Sequence, residues 1–443
     1  MIVSKYTFLF DNNNNTDYYA YNTLSNALIE IDKESYDILV YSENSKIEIE
    51  LSSMDHELWN ALYENNIITE NDDDDFLKYK ASIARMRTQT ASMHLTLAPT
   101  MDCCFHCHYC FEKYKTKSYM SAEVMDSIIK YVTTKHDLKN IHITWFGGEP
   151  LMAISQIELF HDKFSGAWKN TVLSNIITTG YHIDENTMRV LKKVGISQMQ
   201  ITLDGMKDTH NKVKHIESEE DVFERVMSNI MLLNDRIPDM NIVVRVNLTR
   251  ENAHEYEQLY KLCQTRFRGR KNIALAPAFV LDRGTSECSS GQTINFFQHK
   301  DRSEFILDLA SKGMDSPYVH YPEPFFNECA IRNNTAISFD PDGYAYKCWE
   351  VIGNKEYAIG RLNKDGILTE INEKILNRQL YGADPIDDAT CQTCKYLPLC
   401  SGGCPIQRIE NKFERKHNCN CTPYKGFLPD FLKFHIAYMK GKK

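Results

Sequence analysis

The sequence contains no apolar run that approaches the length of a membrane-spanning helix, and no charged-then-apolar signal stands at its N-terminus. It also has no basic excess: its 443 residues include 51 Lys and Arg against 60 Asp and Glu, a formal net charge of −9. These absences argue against a membrane protein, a secreted protein and a nucleic-acid-binding protein. We therefore expect a cytoplasmic protein.

Cysteine, by contrast, is abundant, with 14 residues. In a reducing compartment so many thiols indicate metal binding rather than disulfides. Cys103, Cys107 and Cys110 are spaced as C-x3-C-x2-C. Three thiolates in such a loop can hold a 4Fe–4S cluster and leave one iron without a protein ligand, which makes that iron available for chemistry.

A ferredoxin-type cluster and a zinc site are two other interpretations of this loop. Cys104 also fits the start of a bacterial ferredoxin run, but that run needs a fourth cysteine followed by proline, and Tyr114 and Lys115 occupy those positions. A zinc site is the second alternative, because cysteine and histidine both bind zinc.

The segment after the loop favours the cluster. Residues 140–146 form a β-branched and aromatic run that predicts a strand, and Gly147-Gly148-Glu149-Pro150 ends it. The two glycines allow the backbone to approach a ligand closely, and a carboxylate at the strand end can accept hydrogen bonds from an ammonium group. The cysteine loop and this turn together resemble the radical S-adenosylmethionine (SAM) enzymes.

The resemblance implies that the open iron binds the amino and carboxylate groups of SAM, and that an electron from the cluster cleaves SAM to a 5′-deoxyadenosyl radical. It also implies a set of SAM contacts, which do not all match the family pattern. In particular, Lys214 stands where the family has Arg, and it keeps the charge without the bidentate fork. The implied contacts are Tyr109 beside adenine, Gly147, Gly148 and Glu149 at the amino group, Thr178, Thr202 and Asn247 at strand ends, and Lys214 at the carboxylate.

Strand and helix patterns alternate from about residue 92 to residue 280, which predicts a parallel sheet. Six strand–helix units are fewer than the eight of a closed barrel, so we expect an α/β fold built on a partial (β/α)6 barrel, as the resemblance also implies. Ligands should gather at the carboxyl ends of its strands. The predicted barrel domain spans residues 91–315.

Residues 1–90 read as a separate module. A hairpin, a strand, a helix capped by Asp32, a second helix and the short apolar pair Ile67-Ile68 follow one another, which is the order of a winged-helix-like domain. The acidic run Asp72–Asp75 is expected to be a solvated linker. The module resembles the element that captures the leaders of precursor peptides by strand addition.

Residues 316–443 form the third predicted domain, and their cysteines resemble the SPASM domain, a radical SAM extension with two auxiliary 4Fe–4S clusters. The resemblance assigns Cys329, Cys348 and Cys404 to an inner cluster, and Cys391, Cys394, Cys400 and Cys421 to an outer one. Cys421 is favoured over Cys419 as the closing ligand. The inner cluster has three ligands in this assignment, so either one iron is open or Cys419 completes it.

These features predict an enzyme that modifies a ribosomally made precursor peptide after hydrogen abstraction, through a thioether or another crosslink. Three clusters, SAM and an external electron donor such as flavodoxin or ferredoxin are the expected cofactors and partners. An anaerobic sulfatase-maturing enzyme is the alternative, although Trp349 stands where that group has an Asp proposed as a base. A non-catalytic iron–sulfur or zinc protein is a third hypothesis. No catalytic acid or base stands out.

Overall fold

A computed structural model describes residues 1–12, 16–112, 116–217, 221–281, 296–314, 321–326, 329–418 and 421–441. Within these residues the strands form one large sheet and two small ones. No helix among them is both long enough and apolar enough to cross a membrane.

The N-terminal residues form a three-stranded antiparallel sheet, in the order β2-β3-β4, covered by helices. The short strands β1 and β5 pair separately. The elements are β1 (Ile2–Val3), β2 (Thr7–Asp11), β3 (Tyr18–Asn22), β4 (Leu28–Ile31), α1 (Lys33–Ser45), α2 (His56–Glu64), β5 (Ile68–Thr69) and α3 (Asp72–Thr88). Asp32 caps α1 as predicted, because its carboxylate accepts from the backbone N–H of Ser35.

The prediction that Asp72–Asp75 forms a solvated linker is wrong. Asp72–Asp75 is the first turn of α3, with Asn71 as its N-cap. Carboxylates stabilise a helix N-terminus because they complement its dipole. Asp75 is fully buried and accepts hydrogen bonds from Ser4 Oγ at 2.6 Å and Asn66 Nδ2 at 2.5 Å. Asp75 therefore joins α3 to the segments that contain Ser4 and Asn66.

The central sheet contains the six predicted parallel strands, in the order β11-β10-β9-β8-β7-β6. Alternate residues such as Met93, Leu95 and Leu97 of β6 are buried in the main core, and the carboxyl ends of the strands share one edge. The elements are β6 (Ser92–Leu97), α4 (Ala122–Thr133), β7 (Asn140–Trp145), α5 (Ile154–Ala167), β8 (Thr171–Thr178), α6 (Glu185–Val194), β9 (Ile196–Leu203), α7 (Lys207–Val213), α8 (Val222–Arg236), β10 (Asn241–Leu248), α9 (Tyr256–Arg266) and β11 (Ile273–Phe279).

The C-terminal residues extend this sheet. Strand β12 pairs in parallel with β6, and β13, β14 and β15 follow it in antiparallel order, so the sheet has ten strands in the described part of the chain. Helices surround the cysteines. The elements are α10 (His299–Ser311), β12 (Ala336–Phe339), β13 (Tyr344–Tyr346), β14 (Gly360–Leu362), β15 (Leu368–Thr369), α11 (Glu373–Leu380), α12 (Ala389–Gln392), α13 (Leu397–Cys400), α14 (Pro405–Glu414) and α15 (Leu428–Gly441).

The N-terminal sheet packs against these C-terminal helices. Aromatic side chains of β2 and β3 lie in one apolar cluster with Leu399 of α13 and with Leu428 and Leu432 of α15. The Arg87 guanidinium at the end of α3 makes a buried, bidentate ion pair with Asp384, with N–O distances of 2.5 and 2.9 Å. Residues 1–90 are therefore joined to the region around the C-terminal cysteines.

Candidate functional site

A cavity of about 270 Å³ opens at the carboxyl ends of the parallel strands. Its wall brings together residues that are far apart in the sequence. Of the predicted cluster ligands and SAM contacts, it includes Cys103, Cys107, Tyr109, Cys110, Gly147, Gly148, Thr178, Thr202, Lys214 and Asn247. Parallel strands carry their terminal residues to one edge, which explains why the three thiols and the polar strand ends meet here.

The cysteine loop lies directly on the glycine turn. The backbone N–H of Gly148 donates to Thr100 O at 3.2 Å, and that of Glu149 donates to Asp102 O at 2.7 Å. A Cβ atom at Gly148 would lie 2.1 Å from Asp102 O, so no other residue fits between the two segments. Glycine here therefore fixes the position of the loop that carries the thiols.

Glu149 does not line the cavity; it is fully buried behind it. Its Oε1 accepts from the Thr178 hydroxyl at 2.6 Å and from the Leu151 backbone N–H at 3.0 Å. Its Oε2 accepts from the Thr179 hydroxyl at 2.6 Å and from the Thr179 backbone N–H at 2.8 Å. This carboxylate joins the ends of β7 and β8.

A buried polar network surrounds Tyr109. The Tyr109 hydroxyl donates to Asp204. The same hydroxyl oxygen accepts from Asn247 Nδ2 at 2.9 Å and from Lys214 Nζ at 3.4 Å. The Lys214 ammonium also forms an ion pair with Asp204, and both side chains are almost completely buried. Tyr109 thus joins Lys214 and Asn247, two other predicted SAM contacts, and Asp204, which the sequence does not single out, pairs with both Tyr109 and Lys214.

The ion pair between Lys214 and Asp204 keeps both of these buried side chains charged. Burial alone would raise the pKa of Asp204, but the nearby Lys214 ammonium holds that pKa below its ordinary value. Burial likewise opposes the charge on Lys214, and the Asp204 carboxylate raises its pKa above the ordinary value. His210 behaves differently: burial, and then the Lys214 charge, lower its pKa to about 3, so its ring is neutral at pH 7.

Aromatic rings form the rim of the cavity. Phe146 stacks on Phe111 with ring centroids 6.2 Å apart, and Trp349 stacks on Phe146 at 5.8 Å. Trp349 is 44% exposed, and Glu350 follows it on the cavity wall. Since Trp349 directly follows Cys348, this rim joins the side of the cavity lined by Cys107 and Cys110 to the first C-terminal set of cysteines.

That first set is Cys329, Cys348 and Cys404, the predicted inner ligands. All three lie in one apolar cluster with Ile331, Ile406 and Val351. Burial raises the pKa of the Cys348 thiol well above its ordinary value, so a cation bound by the thiolates has to compensate the charge. Cys419, the possible fourth ligand, lies outside the described residues.

The second set is Cys391, Cys394, Cys400 and Cys421. The backbone N–H of Cys394 donates to Cys391 O at 3.0 Å in the turn after α12. Burial raises the pKa of Cys400 to about 11, and the neighbouring Cys421 thiol contributes to that rise. Two cationic side chains donate to thiols of this set: Arg408 to Cys391 Sγ at 3.5 Å, and Lys425 to Cys421 Sγ at 3.4 Å.

The donor chemistry of all three sets fits iron–sulfur clusters, because each set consists of three or four cysteine thiols, of which all but Cys421 are at least partly buried. In the described part of the chain, no three Cys, His, Asp or Glu side chains approach one point closely enough to hold a single metal ion. Cys263, which belongs to none of the three sets, is buried in α9, whereas Cys288 falls outside the described residues.

Comparison with known proteins agrees with this geometry. Residues 97–263 match the sequence model of the Radical SAM superfamily. The chain is 24% identical to the cysteine-type anaerobic sulfatase-maturating enzyme of Clostridium novyi, over 76% of this chain and 94% of that enzyme. It is 22% identical to the radical SAM cyclopropyl synthase TigE of Paramaledivibacter caminithermalis, over 93% of this chain and 91% of TigE.

Two solved structures have a similar fold. Native anSMEcpe with bound AdoMet and Cp18Cys peptide matches 79% of this chain and 98% of its own, with a TM-score of 0.58 and 18% identity. Streptococcus suis SuiB matches 95% of this chain and all of its own, with a TM-score of 0.52 and 16% identity. The chain is a radical SAM enzyme with curated relatives among the anaerobic sulfatase-maturating enzymes and TigE, and its fold is similar to that of SuiB.

Proposed function

We propose that this enzyme modifies a ribosomally made precursor peptide by abstracting hydrogen from one of its residues. The observation that carries the proposal is the shared cavity, in which Cys103, Cys107 and Cys110 face Trp349 and Glu350 beside Cys348. A peptide segment in this cavity would lie between the SAM site and the first C-terminal cysteine set. Cys103, Cys107 and Cys110 would hold a 4Fe–4S cluster, which would supply the electron that cleaves SAM to the 5′-deoxyadenosyl radical.

The polar residues of the wall would position SAM. Gly147 and Gly148 would leave the backbone open to its methionine end, and the buried Glu149 would hold this turn in place from behind the wall. The Lys214 ammonium attracts its carboxylate. The remaining contacts are proposed as Tyr109 beside adenine, with Thr178, Thr202 and Asn247 as hydrogen-bonding partners.

The C-terminal thiols would hold two auxiliary clusters. Cys329, Cys348 and Cys404 bind the inner one in this proposal, which leaves an iron open unless Cys419 completes the set. Cys391, Cys394, Cys400 and Cys421 bind the outer one. An external donor such as flavodoxin or ferredoxin would deliver electrons, and the reducing cytoplasm would keep the thiols available.

Residues 1–90 would capture the leader of the precursor as a winged-helix-like module. In the hairpin between β3 and β4, Asn22 N donates to Ala27 O at 3.0 Å, so these two residues form a hydrogen-bonded pair. Hydrogen-bonded and non-hydrogen-bonded pairs alternate along antiparallel strands, and the backbone N–H and C=O groups of Leu28 and Glu30 therefore point away from β3. In the described part of the chain no further strand pairs with this edge. An extended leader could therefore add to β4, gaining affinity from backbone hydrogen bonds.

We assign the chain to three domains: this module, a partial (β/α)6 barrel over residues 91–315, and a SPASM domain over residues 316–443. Coverage argues against a sulfatase as the substrate. TigE aligns with 93% of this chain, whereas the sulfatase-maturating enzyme of Clostridium novyi aligns with 76%. Sulfatase maturation is the alternative, because that enzyme matches over 94% of its own length.

The test reconstitutes the full-length protein without oxygen and supplies SAM and dithionite. One arm adds the peptide encoded by a short reading frame beside the gene, and the other adds a sulfatase peptide with a central Cys or Ser. Formation of 5′-deoxyadenosine together with a loss of hydrogen mass from the precursor peptide supports the proposal. A mass change confined to the sulfatase peptide would favour the alternative, and no 5′-deoxyadenosine from loaded protein would contradict both.

A further inference from the structure

Helix α14 connects the two C-terminal cysteine sets. Its N-cap is Cys404 of the inner set, and Arg408, one turn later, reaches Cys391 of the outer set. The Arg408 side chain is 11% exposed. Arginine keeps its charge in any protein environment, so this is a permanent positive charge beside a predicted ligand.

Three hydrogen bonds fix the guanidinium. Arg408 Nε donates to Ala383 O at 2.9 Å, Nη2 to Asp388 Oδ2 at 2.8 Å, and Nη1 to Cys391 Sγ at 3.5 Å. The other carboxylate oxygen of Asp388 accepts from the backbone N–H of Cys391 at 3.3 Å, which caps α12. The cation and the thiol are thus held by the same short turn.

Lys425 provides a natural comparison within the same set. Its Nζ donates to Cys421 Sγ at 3.4 Å, nearly the same distance, but both residues are exposed. Water and salt screen a charge at the surface far more than one in the interior. The two donors therefore separate the effect of a nearby cation from the effect of a buried one.

We propose that Arg408 is a positioning residue that raises the reduction potential of the outer cluster and so makes this cluster a better electron acceptor than it would be without the arginine. This inference rests on the proposed ligation by Cys391, Cys394, Cys400 and Cys421. Reduction adds one negative charge to a cluster whose ligands are already anionic. A buried cation with a hydrogen bond to a ligand sulfur stabilises the reduced form more than the oxidised form.

The experiment compares the wild type, R408Q and K425Q as full-length proteins reconstituted without oxygen. Iron and sulfide per chain are measured first, and the clusters are then titrated potentiometrically with electron paramagnetic resonance detection. In R408Q we expect the ratio of reduced to oxidised outer cluster to fall about tenfold at a fixed potential, equivalent to 59 mV for one electron. In K425Q the ratio should change less than twofold.

A fully loaded R408Q whose cluster potentials equal those of the wild type would overturn the inference. If R408Q loses iron, the double variant D388N/R408Q is compared with D388N, because the Asp388 charge is then absent from both proteins and only the arginine differs. A lower potential of the outer cluster in the double variant supports the inference, and an equal one overturns it. Absence of auxiliary clusters from the wild type would instead contradict the proposed function.

Discussion

Glu149 and Thr179 are held together by two hydrogen bonds to one carboxylate oxygen, from the hydroxyl at 2.6 Å and the backbone N–H at 2.8 Å. Because Glu149 is fully buried, a lost bond leaves a charge short of a partner. We expect Thr179→Val to lower the free energy of unfolding by about 1.5–3 kcal/mol. SAM binding should weaken roughly tenfold as the turn shifts.

Equilibrium dialysis of SAM under anaerobic conditions and urea denaturation check this expectation. Thr179→Ser is the matched control, since it keeps the hydroxyl and should behave like the wild type. A valine variant with unchanged SAM affinity would show that the Glu149 carboxylate does not position the cofactor.

Cys103 and Cys104 are neighbours, but only Cys103 lines the cavity with Cys107 and Cys110. The C-x3-C-x2-C ligand set therefore predicts that Cys103→Ala abolishes 5′-deoxyadenosine formation and removes about four irons per chain. Cys104→Ala should keep both the iron and the activity. Iron analysis and the 5′-deoxyadenosine assay distinguish the two variants. Cys263→Ala serves as a control, because Cys263 belongs to none of the three cysteine sets. Iron lost only from the Cys104 variant would assign the ligands to the ferredoxin-like spacing.

The sequence predicts the central sheet well, because each of its strands has a recognisable pattern in the local sequence. β-Branched runs such as residues 141–145 and 242–246 end at glycine or at a polar residue, and each lies between amphipathic helices. Local patterns also place Thr178, Thr202 and Asn247 at or near strand ends, and parallel geometry then carries them to one edge. The three loop cysteines and the predicted SAM contacts consequently meet in one cavity, with the single exception of Glu149, which lies behind the wall.

Local sequence patterns do not reveal contacts between distant parts of the chain. The pairing of β12 with β6 and the packing of β2 and β3 on α15 depend on segments hundreds of residues apart. Asp204 was passed over because a carboxylate after a strand is ordinary until Lys214 and Tyr109 are seen to meet it. At Asp72–Asp75 the charge run suggested solvent, although an acidic first turn of a helix has the same composition.

His210 provides a pH prediction. Its Nδ1 accepts from the backbone N–H of Asp204 at 3.3 Å, and its buried Nε2 has no hydrogen-bond partner in the described residues. The folded pKa of about 3 lies below the unfolded value near 6.5, so the unfolded chain binds the proton first as the pH falls. Stability from the neutral ring is therefore fully present above about pH 6.5 and is lost progressively below it.

Between pH 7 and pH 5 this single group should remove about 2 kcal/mol from the free energy of unfolding. His210→Asn keeps an acceptor near Nδ1 and does not titrate, so its stability should fall less over the same interval. Anaerobic urea denaturation of both proteins at the two pH values measures the difference. Equal losses in both proteins would show that His210 takes up a proton in the folded state.

Strand addition at β4 makes a prediction about one backbone group. The N–H of Glu30 points away from β3, so Glu30→Pro should leave the hairpin intact and remove one donor from the free edge. A leader peptide would then lose one backbone hydrogen bond, worth about 0.5–1.5 kcal/mol, and proline would also obstruct the approaching strand. We expect binding to weaken at least tenfold, as measured by fluorescence anisotropy with the labelled leader of the neighbouring precursor. Glu30→Gln changes the charge alone and should bind normally; if Glu30→Pro binds as tightly as Glu30→Gln, the leader does not add to this edge.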